Sequence, residues 1–308
     1  MDKSLSYFFA RPKHWAGLVF MGFAWLIARL PFYIQLKLAK ALAWLLEKYA
    51  HKRRKIAEIN IELCFPEYTE NQRKELVKET LFMTALGIIE TATSWFSDLK
   101  RMEKNTTYKG LENVDKAKAN GKGVIMIFFH FTSMEVSGCL MGKKIDFFAM
   151  YKPNKKSPLI EYMMRNGRLR HVHGLLTQDD ARATIRCLKN GGTIWYATDQ
   201  NFGNKKGSFV PFFGIKASTV TAITKFAKMS GASVLPVTNV RTNNYAGLEI
   251  EVHPAFENFP GENAEADALQ INLFLESFLK QHPANYLWIH QRFRTRPEGE
   301  PPIYPPKK

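Results

Sequence analysis

The sequence predicts an α/β fold, a mixed and mostly parallel central sheet flanked by helices, with a hydrophobic N-terminal membrane helix ahead of it. Three observations carry this. From residue 123 onward, short apolar runs bounded by glycine alternate with amphipathic stretches, the texture of strands buried between helices. Near the N-terminus stands an uncharged stretch, WAGLVFMGFAWLIA (15–28). The chain has 308 residues and is 45% hydrophobic, enough for one large core and too apolar to stay disordered.

In chain order, the uncharged run covers 14 residues before Arg29 and continues as LPFYIQLKLAKALAWLL. A spanning helix needs roughly 20 apolar residues. The run reaches that length only if Arg29 snorkels, and Pro31 should kink or restart the helix. Trp15, Trp25 and Tyr33 suit the headgroup region. No small-residue cleavage site follows, so the segment reads as an anchor rather than a cleaved signal; a buried core helix is the other reading. Basic residues flank both ends, so the loop-charge rule sets no orientation, but HKRRK (51–55) favours a cytoplasmic body beside anionic lipid.

Two amphipathic helices are expected at about 52–64, stopped by Pro66, and 70–97. GVIMIFF (123–129) reads as a buried strand, 133–142 as a helix, 144–151 as a strand and 158–170 as a helix. DDARATIRCLKNGG (179–192) begins on Asp and ends on Gly, as a capped helix does. Strand 193–198, helix 217–231, strands 233–240 and 247–254 and helix 268–281 complete the alternation. The domain reading is an anchor and connecting helix (1–48), a catalytic body (49–296) and a loose Pro/Lys-rich tail (297–308). No internal repeat is present.

Lys and Arg number 44 against 28 Asp and Glu, a net charge of +16. Such an excess serves an anionic partner. No basic stretch interleaved with aromatics and no nucleic-acid reading motif occurs, which argues against a nucleic-acid binder. Cys64, Cys139 and Cys187 form an odd set without CxxC spacing and read as reduced, buried thiols.

The stretch VIMIFFHFTSMEVSG carries the chemistry. His130 sits where an apolar strand ends, the position at which open α/β sheets bind ligands. Glu135 lies five residues on, at the start of a helix. A strand-to-helix turn can bring the two within hydrogen-bond reach, where the carboxylate would orient an imidazole acting as general base. Spacing alone leaves open a structural histidine with an unrelated surface glutamate.

A strand followed by His-x4-Asp/Glu, here HFTSME (130–135), resembles the first block of the glycerolipid acyltransferase superfamily. Within it, RRKIAEINIELCFPE (53–67), YKPNKKSPLIEYMMRNGRLR (151–170), WYATDQNFGNKKGSFVPFFGIKASTVT (195–221) and YLWIHQRFRTRP (286–297) are similar, in order, to blocks of the late acyltransferases of lipid A biosynthesis, the lauroyl/myristoyl transferase family. The phosphate-binding FPEG block of glycerol-phosphate acyltransferases is replaced by DQNFG, which tells against glycerol 3-phosphate as acceptor. The resemblance implies an acyl carrier protein thioester as donor, with a chain of about C12–C14, and a phosphorylated Kdo-lipid IVA-type precursor as acceptor. It implies His130 and Glu135 as the catalytic pair, no cofactor, contact with anionic membrane lipid, and residence at the bacterial inner membrane with the catalytic domain facing the cytoplasm. A different glycolipid or aminolipid acceptor is the alternative.

Arg165, Arg168 and Arg170 fit either a site for lipid phosphates, Arg168 foremost, or a solvated basic helix face. Asp199 and Gln200 close the third predicted strand and fit either acceptor binding or a turn cap. Lys205 and Lys206 fit phosphate contact or a solvated loop. His171 and His173 lack the companions of a metal site, and none is expected. Cys139 lies in an apolar setting, which disfavours a nucleophilic thiolate. Trp288 and His290 read as core support.

Overall fold

The computed structural model describes residues 4–119, 121–203 and 207–306. A short α1 (Leu5–Phe9) and a single 3-10 turn (Pro12–His14) lead into α2 (Trp15–Ile27). This helix takes up the uncharged run but holds only 13 residues, about 20 Å of length against a hydrocarbon core of about 30 Å. The chain restarts after Pro31 as α3 (Phe32–Tyr49). Among the described residues no helix is long and apolar enough to cross a membrane. The expected membrane-spanning helix is therefore corrected: the Pro31 break divides the apolar stretch in two. Each half packs one side onto the body, Leu18 with Leu159 and Met163, and Ala39 with Leu86 and Ile89. The opposite side stays exposed at Trp15, Val19, Phe20, Phe23 and Leu26.

Then come α4 (His51–Cys64) and the long α5 (Glu70–Phe96). The second opens on a reciprocal capping box between Thr69 and Gln72. The remaining order is α6 (Lys100–Lys104), β1 (Thr107–Lys109), α7 (Glu112–Lys118), β2 (Val124–Phe128), α8 (Met134–Met141), β3 (Phe148–Tyr151), α9 (Pro158–Leu169), β4 (Gly174–Thr177), α10 (Ala181–Lys189), β5 (Thr193–Ala197), β6 (Gly207–Phe212), β7 (Ile215–Val220), α11 (Ala222–Ser230), β8 (Ser233–Thr242), β9 (Gly247–Val252) and α12 (Ala264–Gln281).

Seven strands form the main sheet in the order β1-β9-β8-β2-β5-β3-β4. Every pair is parallel except β8 with β9. β2 lies inside the sheet, and all five of its residues are buried. That burial on both faces is why it reads as an unbroken apolar run rather than an alternating one. Ile125 and Ile127 join the core on one face, Val124, Met126 and Phe128 the core on the other.

Three local readings change. Residues 217–220, expected as the start of a helix, instead belong to β7, the second strand of an antiparallel hairpin with β6. Phe213 and Gly214 turn it with φ of 49° and 73°, the two-residue turn whose twist suits a hairpin. The short strands β1 and β4 went unpredicted. They hold three and four residues at opposite edges of the sheet and carry too little apolar pattern to register. The tail expected to be loose is tied down at Tyr304, which is buried, accepts a hydrogen bond from the Phe293 N–H at 3.1 Å and donates to Asn60.

Candidate active site

β2 and β5 run parallel with Phe128 opposite Ala197. Two residues beyond this matched pair both chains leave the sheet, which brings His130 and Asp199 together at the same height. His130 Nδ1 lies 2.9 Å from Asp199 Oδ1, and the His130 backbone N–H donates to Oδ2 at 3.0 Å. One carboxylate thus fixes both the ring and the backbone of the histidine. Asp199 is 2% exposed. Burial pushes its carboxyl up, but the charge and hydrogen bonds of His130 outweigh that and hold it below the usual carboxylate range. With Nδ1–H facing a carboxylate, Nε2 is the basic nitrogen of the neutral ring. It makes no hydrogen bond among the described residues.

The turn after His130 is clamped from below. Thr132 N–H donates to the Asn285 carbonyl at 2.8 Å. Its hydroxyl accepts from Arg241 Nη1 at 2.7 Å, and Ser133 donates to Asn239. Arg241 is held in turn by a buried fork on Glu90, at 3.0 and 2.6 Å. At Gly87 of α5 a Cβ would stand 2.0 Å from the Thr132 carbonyl, so only glycine lets the helix approach the turn this closely. A buried pair of this kind specifies one arrangement more than it adds stability.

His130 lines a cavity of ≈ 780 Å³, and Glu135, Arg168 and Gln200 line it too. The expected His130–Glu135 hydrogen bond does not form. Glu135, in the first turn of α8, instead accepts a fork from Arg168 at the end of α9, Nε to Oε1 at 2.8 Å and Nη2 to Oε2 at 2.6 Å, with Trp95 Nε1–H on Oε1 at 2.7 Å. Burial raises the Glu135 carboxyl, and the Arg168 guanidinium more than reverses it, so Glu135 is held below the usual range. Arg168 stays firmly protonated. The wall therefore carries two carboxylate-anchored groups, one a hydrogen-bonded histidine and one a closed ion pair.

The other expected residues divide clearly. Asp199 is no surface turn cap but lies buried behind His130. Arg165 packs against Tyr151, and Arg170 donates to the Trp95 carbonyl at 2.8 Å; neither lines the cavity. Lys205 and Lys206 lie outside the described residues. His171 is bonded to the Ser94 carbonyl at 2.9 Å and His173 lies edge-on to Phe148. Among the described residues, no cluster of three or more His, Cys, Asp or Glu side chains suits a metal ion. Cys139 lines the cavity, but burial pushes its thiol well up, away from thiolate chemistry. Trp288 is fully buried in the core. His290 accepts from the Asn201 N–H at 3.3 Å and is pushed down to about 4 by burial and by His130, so it stays neutral.

A family model of the bacterial lipid A biosynthesis acyltransferases matches residues 3–295. The chain belongs to that family. It is 32% identical over 297 residues to the lipid A biosynthesis palmitoleoyltransferase of Escherichia coli K12, covering 96% of each protein. It is 32% identical over 294 residues to the lauroyltransferase of the same organism, covering 95% of this chain and 96% of the relative. The myristoyltransferase of that organism is 25% identical over 300 residues, 97% of this chain and 92% of the relative. Among solved structures, the 1-acyl-sn-glycerophosphate (LPA) acyltransferase of Thermotoga maritima aligns over 80% of this chain and 98% of its own at 13% identity, with a TM-score of 0.35, too low to argue from. The chain is thus an acyltransferase enzyme of lipid A biosynthesis.

Proposed function

We propose that this acyltransferase moves a fatty acyl chain of about C12–C14 from an acyl carrier protein thioester to the hydroxyl of a 3-hydroxyacyl chain on a phosphorylated lipid A precursor. The observation that carries the reading is the cavity-lining His130, bonded through Nδ1 to buried Asp199 and with Nε2 unpartnered. A hydroxyl is a poor nucleophile at neutral pH. Nε2 accepts its proton as the oxygen attacks the thioester carbonyl, and Asp199 stabilises the imidazolium that forms. The tetrahedral oxyanion then collapses, the carbon–sulfur bond breaks, and the imidazolium returns the proton to the departing sulfur. Glu135 and Arg168 form the second charged element of the wall. The Arg168 Nη1, which makes no hydrogen bond among the described residues, is the free donor of that pair for a substrate oxygen.

The charge of +16 suits an acidic carrier protein, a phosphorylated glycolipid and anionic lipid alike. In this reading the enzyme works at the cytoplasmic face of the inner membrane. It enters one leaflet through the exposed sides of α2 and α3, where Trp15, Phe20, Phe23 and Tyr33 are 57–62% exposed. Mass spectrometry of lipid A from cells with and without the protein tests the function. Loss of one or more secondary acyl chains on deletion is expected; identical lipid A overturns it.

A further inference from the structure

Gly138 lies one turn beyond Glu135 in α8 and faces Trp195 of β5. A Cβ at Gly138 would stand 1.4 Å from Cη2 and Cζ3 of the indole. The ring therefore bridges the space between the sheet and α8, with its benzo edge on a backbone that has no side chain. Behind it the indole packs against Phe128, tilted with ring centroids 4.1 Å apart, and against Phe147, edge-on at 5.2 Å, both essentially unexposed. In front it lines the cavity shared with His130, Glu135 and Arg168, beside the small or apolar side chains of Cys139, Ala149 and Val172. The wall here is apolar and backed by close-packed core. It is a surface for hydrocarbon, since a polar group against it would lose its water without gaining a partner.

We infer that Trp195, seated by Gly138, is the end wall of the acyl-chain arm and sets the longest chain the enzyme accepts. This inference rests on the acyl-transfer reading above. The indole is rigid and pinned on three sides, by Gly138, Phe128 and Phe147, so it cannot swing aside for added methylenes. A chain too long for the arm leaves its terminal methylenes in water or withdraws its thioester from His130. Each misplaced methylene then costs several-fold in kcat/KM.

The experiment measures kcat/KM for acyl carrier protein thioesters of ten to eighteen carbons with a lipid A precursor as acceptor. Trp195→Ala opens the arm towards Phe128 and Phe147, and the optimum moves to longer chains. The ratio of long-chain to wild-type-optimum donor rises about tenfold or more for two methylenes gained. Gly138→Ala puts a methyl group into the space of the pinned indole and costs folding and activity on every donor. Trp195→Phe removes the ring edge that meets Gly138, so Gly138→Ala/Trp195→Phe regains folding and activity lost by Gly138→Ala alone. If Trp195→Ala does not fold, the Trp195→Phe profile and this rescue carry the test. Active Trp195 variants that keep the wild-type chain optimum overturn the inference alone. Wild-type protein inactive on every donor overturns the underlying reading instead. Loss of activity on all chains to the same degree, in folded variants, assigns Trp195 to core packing and likewise overturns the inference.

Discussion

Arg168→Lys keeps the charge of the cavity wall and removes its geometry. The native fork places Nε and Nη2 on the two oxygens of Glu135 at 2.8 and 2.6 Å. The side chains of the pair are 18% and 13% exposed, so solvent screens it weakly. A lysine ammonium is a point donor and satisfies one carboxylate oxygen at a time. The variant therefore loses one charge-assisted hydrogen bond, about 1.5–3 kcal/mol. In a chain of this size that lowers Tm by a few degrees. Trp95 still holds Oε1, so the fold survives and turnover is readable. Acyl transfer should fall in kcat, because the wall that faces the reacting groups is loosened. Arg170→Lys alters only an exposed bond to the Trp95 carbonyl and is the control. Calorimetry and steady-state kinetics on both proteins decide it. Arg168→Lys with wild-type Tm and wild-type kinetics refutes the argument.

His290 should shape the acid limb of stability. Its folded pKa is about 4 against about 6.5 unfolded, so from pH 6.5 down to 4 only the unfolded chain takes the proton. Stability should fall across that window by up to about 3 kcal/mol; His290→Gln should flatten the limb, and equal slopes in urea unfolding would count against it. His171, His253 and His282 are lowered by burial too and leave a residual slope. Arg241→Met strands Glu90 in the core and should cost about 3–5 kcal/mol, with part regained in Glu90→Gln/Arg241→Met; chemical denaturation reads both. Phe20→Ser with Phe23→Ser should leave Tm unchanged, since both rings are exposed, yet release the protein from anionic vesicles in flotation, and full retention would argue against insertion through α2.

The buried apolar runs made the sheet legible. VIMIFF and TIWYA could only be interior strands, and their C-terminal ends located His130 and Asp199. The capping residue Asp180 also stands where the sequence reading put it. The partner of His130 was not legible. Glu135 is five residues away in sequence, whereas Asp199 becomes a neighbour only through the Phe128–Ala197 register, and pairing of non-consecutive strands leaves no local trace. Trp95 and Arg241 were missed for the same reason, being 40 and 109 residues from the groups they hold. The hairpin at 207–220 carried a local signal, Phe-Gly at its turn. The β-branched and small residues of IKASTV were overridden by the helical pattern beginning at Ala222.

The most direct test of the account is acyl transfer by purified His130→Ala protein from an acyl carrier protein thioester to a lipid A precursor. Asp199→Asn is assayed beside it, with folding checked by circular dichroism. If His130 Nε2 is the base and Asp199 its anchor, the first variant falls about 10²–10⁴-fold in kcat. The second then loses turnover while it still binds donor and acceptor. Near wild-type turnover by folded His130→Ala protein would contradict the mechanism.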